Sequence, residues 1–598
     1  MQTLKTTTEN PIIREHMMPD YIRSIPLEDL PRFCEEIRAE LINIVSKTGG
    51  HIGVNLGVIE LTVALYKVFD FDSDSAAAED SVVWDIGHQI YIQKMLTGRL
   101  DKLREIRVNG GSPGYANCED SKYDRVTSSH AGASMAFALG VMIANRQQKK
   151  TDAVSIAVIG DGSMVEGSSQ EALNHMGVEN GRMLCVLNDN EMALDNNFGG
   201  MHEYFKTLQV GNDTPETFFS SLGIHYSGPV DGHDVIGLVK VFEDYKENLD
   251  RPSILHIKTV KGKGLETMAE KSPVRIHWNF PFDTKSLENT EFPKSRSHTA
   301  VFAEALGEIL ERDEKAYVVT PATLQNTGIF SLKQKYPDRV LDVGMAEQHA
   351  ITVGCGLALQ GMKPIVCFES TFLARTYDQI IHDLCINNLP VMIVGARSGH
   401  TGLDHVTHHS LSDQAYFRMV PNLKVTYPGT QADLKDGVAD MYDNLSGPSL
   451  LLFPYGGEID DPVGEVVFDK NIDDAKLSAP NLIISVGMQN QNAQNLCTML
   501  REAGKEVDHV IMTSMAPLDE QLTSYLGNVA NIITLEENMV VAGMGAQILE
   551  TLNENDWSAK VHRFGFPKQY IEHGTRAYIF EKYGIDAKSV AEKMLKKI

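Results

Sequence analysis

The feature that most constrains this chain is a strand–helix–strand grammar punctuated by two polar turns. Ala153–Ile159 (AVSIAVI) is a short apolar run that stops at Gly160. Met183–Leu187 (MLCVL) is another that stops at Asn188, and Gly167–Gly177 between them has helical spacing. That order predicts a βαβ unit, and with it a parallel sheet with right-handed crossovers. Ligands of such sheets sit beyond the carboxyl ends of the strands. Gly160-Asp161-Gly162 and Asn188-Asp189-Asn190 both fall there.

The grammar recurs. Lys363–Phe368 and Val391–Val394 read as strands flanking a helical Thr376–Cys385, and Asn481–Val486 and Ile532–Leu535 repeat the pattern. Asn279–Arg296, rich in Pro, Asn and Ser without periodicity, reads as a linker, and Gly456–Lys476, acidic and Pro/Gly-bearing, as a second break. The expected fold class is therefore α/β, in three doubly wound domains over residues 1–290, 291–460 and 461–598. A chain of 598 residues has room for three such cores.

The net charge of −26 argues against a nucleic-acid or anionic-membrane partner. Seven scattered cysteines without a C-x-x-C pair read as reduced thiols. The N-terminal stretch lacks an apolar signal region, and no run of about 18 apolar residues suggests a membrane span. The expectation is a cytoplasmic enzyme.

The two polar turns suit a diphosphate held through a hard divalent cation. Magnesium takes oxygen ligands in octahedral geometry, with phosphate oxygens filling part of the shell. Asp161 and Asn190 supply two ligands and the backbone carbonyl of Met192 a third. Gly160 and Gly162 keep side chains clear of the phosphates in a tight strand-to-helix turn.

GDG followed by NDN at this distance resembles the thiamine-diphosphate signature of the transketolase superfamily. Gly49-Gly50-His51, Trp84-Asp85-Ile86-Gly87-His88-Gln89, Gly228-Pro229-Val230-Asp231-Gly232-His233-Asp234, Ala346-Glu347-Gln348-His349-Ala350, Ser370-Thr371-Phe372-Leu373, Glu536-Glu537-Asn538 and Gly565-Phe566-Pro567 are similar, in order, to the 1-deoxy-D-xylulose-5-phosphate synthase family. The resemblance runs from about residue 25 to the C-terminus. It implies three domains of the transketolase type: diphosphate-binding, pyrimidine-binding and C-terminal.

It also implies thiamine diphosphate with Mg2+, a 2-oxo acid donor, an aldehyde acceptor and a homodimer. Glu347 would bond the aminopyrimidine, and Phe372 would stack on it. His88 and His130 would lie near the diphosphate. His51 and His277 would face the reacting carbonyl. His408, with Asp404, would line the substrate channel, and Arg375 would hold the donor carboxylate, a task suited to a bidentate guanidinium.

The chain departs from the family at the acceptor. Arg397, in Gly395-Ala396-Arg397-Ser398-Gly399, resembles one of two phosphate anchors. The second, an arginine in a Tyr-Pro-Arg-Gly turn, is replaced in Phe453-Pro454-Tyr455-Gly456, and the tyrosine that precedes Ser-Thr-Phe is here Glu369. The family's serines near His51 are replaced around Val54-Asn55, and Ser163–Gly167 is closer to the transketolase form of the turn. Residues 195–218 bridge quickly where the family has a longer insertion. A carboxylate about 4 Å from a phosphate charge costs about 4 kcal/mol at an effective dielectric of about 20. A lost charge-assisted arginine contact costs about 1.5–3 kcal/mol more. Lys271, Arg275 and His400 are candidates to compensate.

The leading expectation is decarboxylation of pyruvate and carboligation to an aldehyde: glyceraldehyde 3-phosphate by family, or a different or unphosphorylated acceptor by the altered anchors. A transketolase moving a ketol unit, an oxo-acid dehydrogenase subunit and a non-catalytic paralogue are the alternatives.

Overall fold

The computed structural model describes residues 11–72, 80–194, 197–208, 217–272, 274–291, 296–403, 405–457 and 477–598. The chain divides into two compact units. One is Met1–Phe292 with Gly344–Ala346 and Leu403–His405; the other is Pro293–Val343, Glu347–Gly402 and Val406–Ile598.

The first unit is built on a five-stranded parallel sheet of β1 (Ser81–Trp84), β2 (Ser155–Gly160), β3 (Met183–Asp189), β4 (His225–Asp231) and β5 (Ser253–Lys258), in the order β1-β2-β3-β5-β4. Alternate side chains of the central strands serve two separate cores, as the two-residue period of a strand requires. Ile156, Val158, Leu184 and Val186 pack with the helices Leu30–Thr48 and Ile59–Val68. Ala157, Ile159, Cys185 and Leu187 pack with the helices Ser134–Gln147 and Gly167–Met176. Both faces are covered, so the strands read as continuous apolar runs rather than alternating ones. Gly167–Met176 is the crossover expected between β2 and β3, and buried Glu166 caps it by accepting the Ser168 N–H at 2.7 Å.

The second unit holds two further sheets. The seven-stranded one contains β6 (Ala316–Thr320), β7 (Val340–Asp342), β8 (Lys363–Glu369), β9 (Met392–Ser398), β10 (Lys424–Thr426) and β11 (Ser449–Pro454). The four-stranded one contains β12 (Asn481–Ser485), β13 (Val507–Ile511), β15 (Asn531–Met539) and β16 (Lys560–Phe566), while β14 (Ser514–Ala516) leaves it to close the edge of the larger sheet beside β10. All pairings are parallel among the described residues except β10 with β14. The expected α/β class holds in both units.

Two sequence expectations need correction. Asn279–Arg296 is not a free linker over its first half. Asn279 pairs with Gly50, Phe282 bridges Asn289, and the Phe282 ring is buried in the first unit's core. One aromatic residue anchors a segment whose composition is that of a loop. Thr376–Cys385 is not a regular α-helix either. A 3-10 turn (Ser370–Thr376) leads into one α turn (Tyr377–Gln379) and then a π turn (Ile380–Cys385). Such irregular turns are frequent where a helix presents functional side chains, and Phe372 and Arg375 stand here.

Among the described residues no helix is long and apolar enough to cross a membrane. Of residues 195–218, the helix Gly200–Thr207 and its flanks are described, and 195–196 and 209–216 lie outside the described residues, as does most of Gly456–Lys476.

Candidate functional site

The tips of β2 and β3 are tied together. The Asp161 N–H donates to the Asn188 carbonyl at 3.2 Å. The fully buried Asp161 carboxylate accepts from the Asn197 amide at 2.9 Å and from the Asn190 N–H at 3.4 Å. The Asn190 side-chain oxygen accepts from the Met192 N–H at 3.1 Å, which curls this loop over the end of β2. Burial, and then the neighbouring Asp189 carboxylate, push Asp161 up to about 7. Burial also works to raise Asp189, but hydrogen bonds from His256 and Lys258 outweigh it and hold that carboxylate low.

A buried carboxyl this high is a place that a cation would stabilise. Asp161 and Asn190, with the Met192 carbonyl, would offer one carboxylate, one amide and one carbonyl, a donor set that suits a hard dication and leaves coordination for ligand oxygens. The two glycines of the turn serve different ends. A Cβ on Gly162 would stand 2.8 Å from the Ala193 Cβ and 2.8 Å from the Met345 Cε, so glycine is needed for the chain itself to close. A Cβ on Gly160 would meet nothing within 4 Å, so glycine there keeps open space at the strand tip. The residues fit a metal-bound diphosphate.

Beyond the same sheet edge the first unit gathers three histidines. The His51 and His88 rings are 5.4 Å apart, His51 and His277 5.4 Å, and His88 and His277 4.9 Å. Tyr115, 4% exposed, places its hydroxyl 3.3 Å from His51 Nε2, and its ring lies 5.2 Å from that of His405. Desolvation first, then Lys261, His88 and His51, hold His277 well below the ordinary histidine range, so it is neutral. The Lys261 ammonium is itself buried and donates to the Ala193 carbonyl at 3.0 Å.

Asn55 joins the two histidine turns. Its amide donates to the carbonyls of His51 (2.7 Å) and His88 (2.8 Å), and its oxygen accepts from the Tyr91 N–H at 2.9 Å. The Tyr91 hydroxyl accepts in turn from the His51 N–H at 3.1 Å. Gly50 and Asn279 exchange backbone hydrogen bonds, which brings the turn carrying His277 beside His51. His130, half-buried, precedes a turn clamped by Asp85, whose buried carboxylate accepts the N–H groups of Gly132 at 3.0 Å and Ser134 at 3.1 Å.

The second unit carries the other candidates. Glu347 opens the helix Glu347–Leu359, where the helix dipole favours a carboxylate, and Arg375 Nη1 stands 4.0 Å from its Oε2. Phe372 is half-buried, with its ring centroid 6.4 Å from that of His408. The Thr371 hydroxyl donates to the Thr407 carbonyl at 2.9 Å and ties those two turns together. Glu369 ends β8, Arg397 lies near the end of the adjacent β9, and Tyr455 follows β11. Arg397 Nη1 is 3.2 Å from Glu369 Oε1, and its Cζ lies 4.4 Å from the centre of the Tyr455 ring.

The structure therefore brings Asp161 and Asn190 together, with Met192 bonded to Asn190 through its N–H, groups His51, His88 and His277, and joins Glu369, Arg397 and Tyr455. Asp404 lies outside the described residues. Lys271 and Arg275 are exposed residues of the first unit, and His400 is buried in the second.

Comparison with known proteins decides the family. Residues 13–216 and 209–259 match the family model "1-deoxy-D-xylulose-5-phosphate synthase". Residues 294–456 match "Transketolase, pyrimidine binding domain", and 480–590 match "Transketolase, C-terminal domain". The 1-deoxy-D-xylulose-5-phosphate synthase of Clostridium beijerinckii is 34% identical, covering 97% of this chain and 98% of the relative. That of Thermus thermophilus is 35% identical, covering 96% of each. The chain belongs to the 1-deoxy-D-xylulose-5-phosphate synthase family.

Beside the residues read from sequence, this synthase-family chain places several to which sequence reasoning gave no role. Asp85 stood inside a motif already singled out and Asn55 at a point of departure from the family, and the buried, multiply bonded side chains of both brace the turns that carry His88 and His51. Tyr115, Lys261 and Asn197 carried no local signal. Each reaches the site through the tertiary fold. Chemically, the first unit combines an oxygen donor set for a dication, a neutral histidine and a tyrosine hydroxyl. That set can hold and move protons at a carbonyl. The second unit supplies a buried acid with a guanidinium beside it.

Proposed function

We propose that this protein is a thiamine-diphosphate-dependent transferase that decarboxylates pyruvate, or a related 2-oxo acid, and joins the two-carbon unit to an aldehyde. The observation that carries this reading is the meeting of Asp161 and Asn190 at the tips of β2 and β3, with open space at Gly160. Asp161, Asn190 and the Met192 carbonyl would hold Mg2+ on the diphosphate, beside Gly160 and Gly162. When bound, the cofactor supplies a carbon nucleophile and an electron sink.

The chain's residues do the rest. Glu347 would bond the far ring nitrogen of the aminopyrimidine, and Phe372 would lie on that ring. His88 and His130 would flank the diphosphate. His51 and His277, the latter neutral, would bond the carbonyl oxygen and move its proton. Arg375 would orient the donor carboxylate, and His408 with Asp404 would line the route to it. The proposed division is 1–290, 291–460 and 461–598, and the proposed assembly is a homodimer.

Carbon dioxide release from carboxyl-labelled pyruvate, measured with mixed aldehydes, tests the reading. Release that needs both thiamine diphosphate and Mg2+ is expected. Ketol transfer between sugars without carbon dioxide would replace it with a transketolase.

A further inference from the structure

Arg397, at the carboxyl edge of the seven-stranded sheet, and Arg576, which bonds the Tyr455 carbonyl there, are each already matched by a buried carboxylate. Glu369 is 2% exposed and engages Arg397 at 3.2 Å through one oxygen, while its other oxygen accepts from the Asn326 amide. Tyr455 covers a face of the same guanidinium, with 4.4 Å between Cζ and the ring centre. The Tyr455 backbone is fixed in turn, because its carbonyl accepts from Arg576 Nη2 at 2.9 Å. Arg576 is held by Glu537, 1% exposed, through Nε at 3.0 Å. The backbone of Arg397 sits at φ 65°, a left-handed conformation that costs a side-chain-bearing residue free energy and is tolerated where the surroundings impose it.

This arrangement has a chemical consequence. Ligands of parallel sheets lie beyond the carboxyl ends of the strands, which is where Glu369, Arg397 and Tyr455 stand on three neighbouring strands. A phosphate arriving there would meet Arg397 with its charge offset by a carboxylate 3.2 Å away and one π-face covered. The dianion would lie next to that carboxylate, and like charges so close are repelled strongly in a partly desolvated site. His400 adds no cation. It is buried and stacked on His409 at 4.2 Å, and burial first, then His409 and Arg576, lower it to about 2. Hydroxyl groups have no such conflict. They can donate to the Tyr455 oxygen and accept from Arg397, and being uncharged they are not repelled by the Glu369 carboxylate.

Resting on the carboligase reading, we propose that Glu369, Arg397 and Tyr455 select the acceptor, and that it is an uncharged, hydroxyl-bearing aldehyde rather than a phosphorylated one. Rejection through a fixed like charge, together with a polar group matched to hydroxyls, is an effective way to discriminate.

The test compares D-glyceraldehyde with glyceraldehyde 3-phosphate as acceptors for pyruvate, using the full-length protein with thiamine diphosphate and Mg2+. The expected result is a kcat/KM at least 10-fold higher for glyceraldehyde. Glu369→Gln, nearly isosteric, and Tyr455→Arg, at a half-buried turn, should each move that ratio at least 10-fold toward the phosphorylated substrate. A wild-type preference for glyceraldehyde 3-phosphate, or a ratio unmoved by both variants, would overturn the proposal. Absence of carbon dioxide with every aldehyde would instead overturn the carboligase reading. An independent arm titrates inorganic phosphate into the protein by calorimetry. No binding at millimolar phosphate is expected, and binding that Arg397→Ala abolishes would overturn the acceptor proposal whether or not the enzyme turns over.

Discussion

Tyr115 Oη lies 3.3 Å from His51 Nε2, and His51 Nε2 belongs to a ring that contacts both His88 and His277. The tyrosine hydroxyl is therefore the outer partner of the histidine group. A neutral hydrogen bond of this kind is worth about 0.5–1.5 kcal/mol. Tyr115→Phe should lower kcat/KM about 2–10-fold at a constant thiamine diphosphate Kd. Steady-state kinetics with a parallel binding titration checks this, and unchanged turnover would remove the hydroxyl from the reaction.

The two glycines of the GDG turn should separate folding from binding. Ala at Gly160 meets open space, and its φ is not in the left-handed range, so Gly160→Ala should melt within about 1 °C of wild type, the small effect of an unstrained surface change. Its methyl group would occupy the space proposed for the diphosphate, and thiamine diphosphate affinity should fall at least 10-fold. Gly162→Ala would press on Ala193 and Met345 and should lower the melting temperature as well, in line with the about 1–3 kcal/mol of an overpacked site. Thermal unfolding and calorimetry on both variants give the comparison.

Stability should fall toward acid, and buried histidines supply part of the slope. Burial, then Arg501, lower His509 to about 4, and burial first lowers His400 to about 2. Below the ordinary value near 6.5 the unfolded chain takes up protons that the folded chain refuses. The stability these groups contribute is fully present above pH 6.5 and is lost as pH drops toward 4 and then 2. Each contributes about 1.4 kcal/mol per pH unit in that window. His509 bonds the Ser485 hydroxyl at 2.8 Å in the four-stranded sheet, remote in sequence from the GDG and NDN turns. His509→Gln should flatten the decline between pH 6.5 and 4, as read from denaturant midpoints across that range.

Much of the fold was legible because strands covered on both faces must be continuously apolar. β2, β3, β8 and β12 begin and end within about two residues of the runs read from sequence, the ordinary uncertainty of such boundaries. The paired polar turns proposed for the cofactor were legible because their residues are close in sequence to the strand ends that carry them. Asn55, Tyr115 and Lys261 were not, because a hydrogen bond between residues dozens of positions apart leaves no local pattern. The first half of the linker expected over Asn279–Arg296 was misread for the same reason. The packing of Phe282 and the backbone bonds from Asn279 to Gly50 and from Phe282 to Ser46 distinguish its first half from a free loop. The pairing of Glu369 with Arg397 fell between these cases. Each residue drew notice as an odd choice, and their contact became visible only in the aligned strand ends.

Everything proposed here depends on a metal-held diphosphate at the tips of β2 and β3. Calorimetric titration of thiamine diphosphate into the protein with and without Mg2+, repeated on Asp161→Ala, measures it directly. Tight binding that requires Mg2+ and disappears in the variant, while the fold still melts cooperatively, is expected. Equal binding to both proteins, or none to wild type with Mg2+ present, would contradict it.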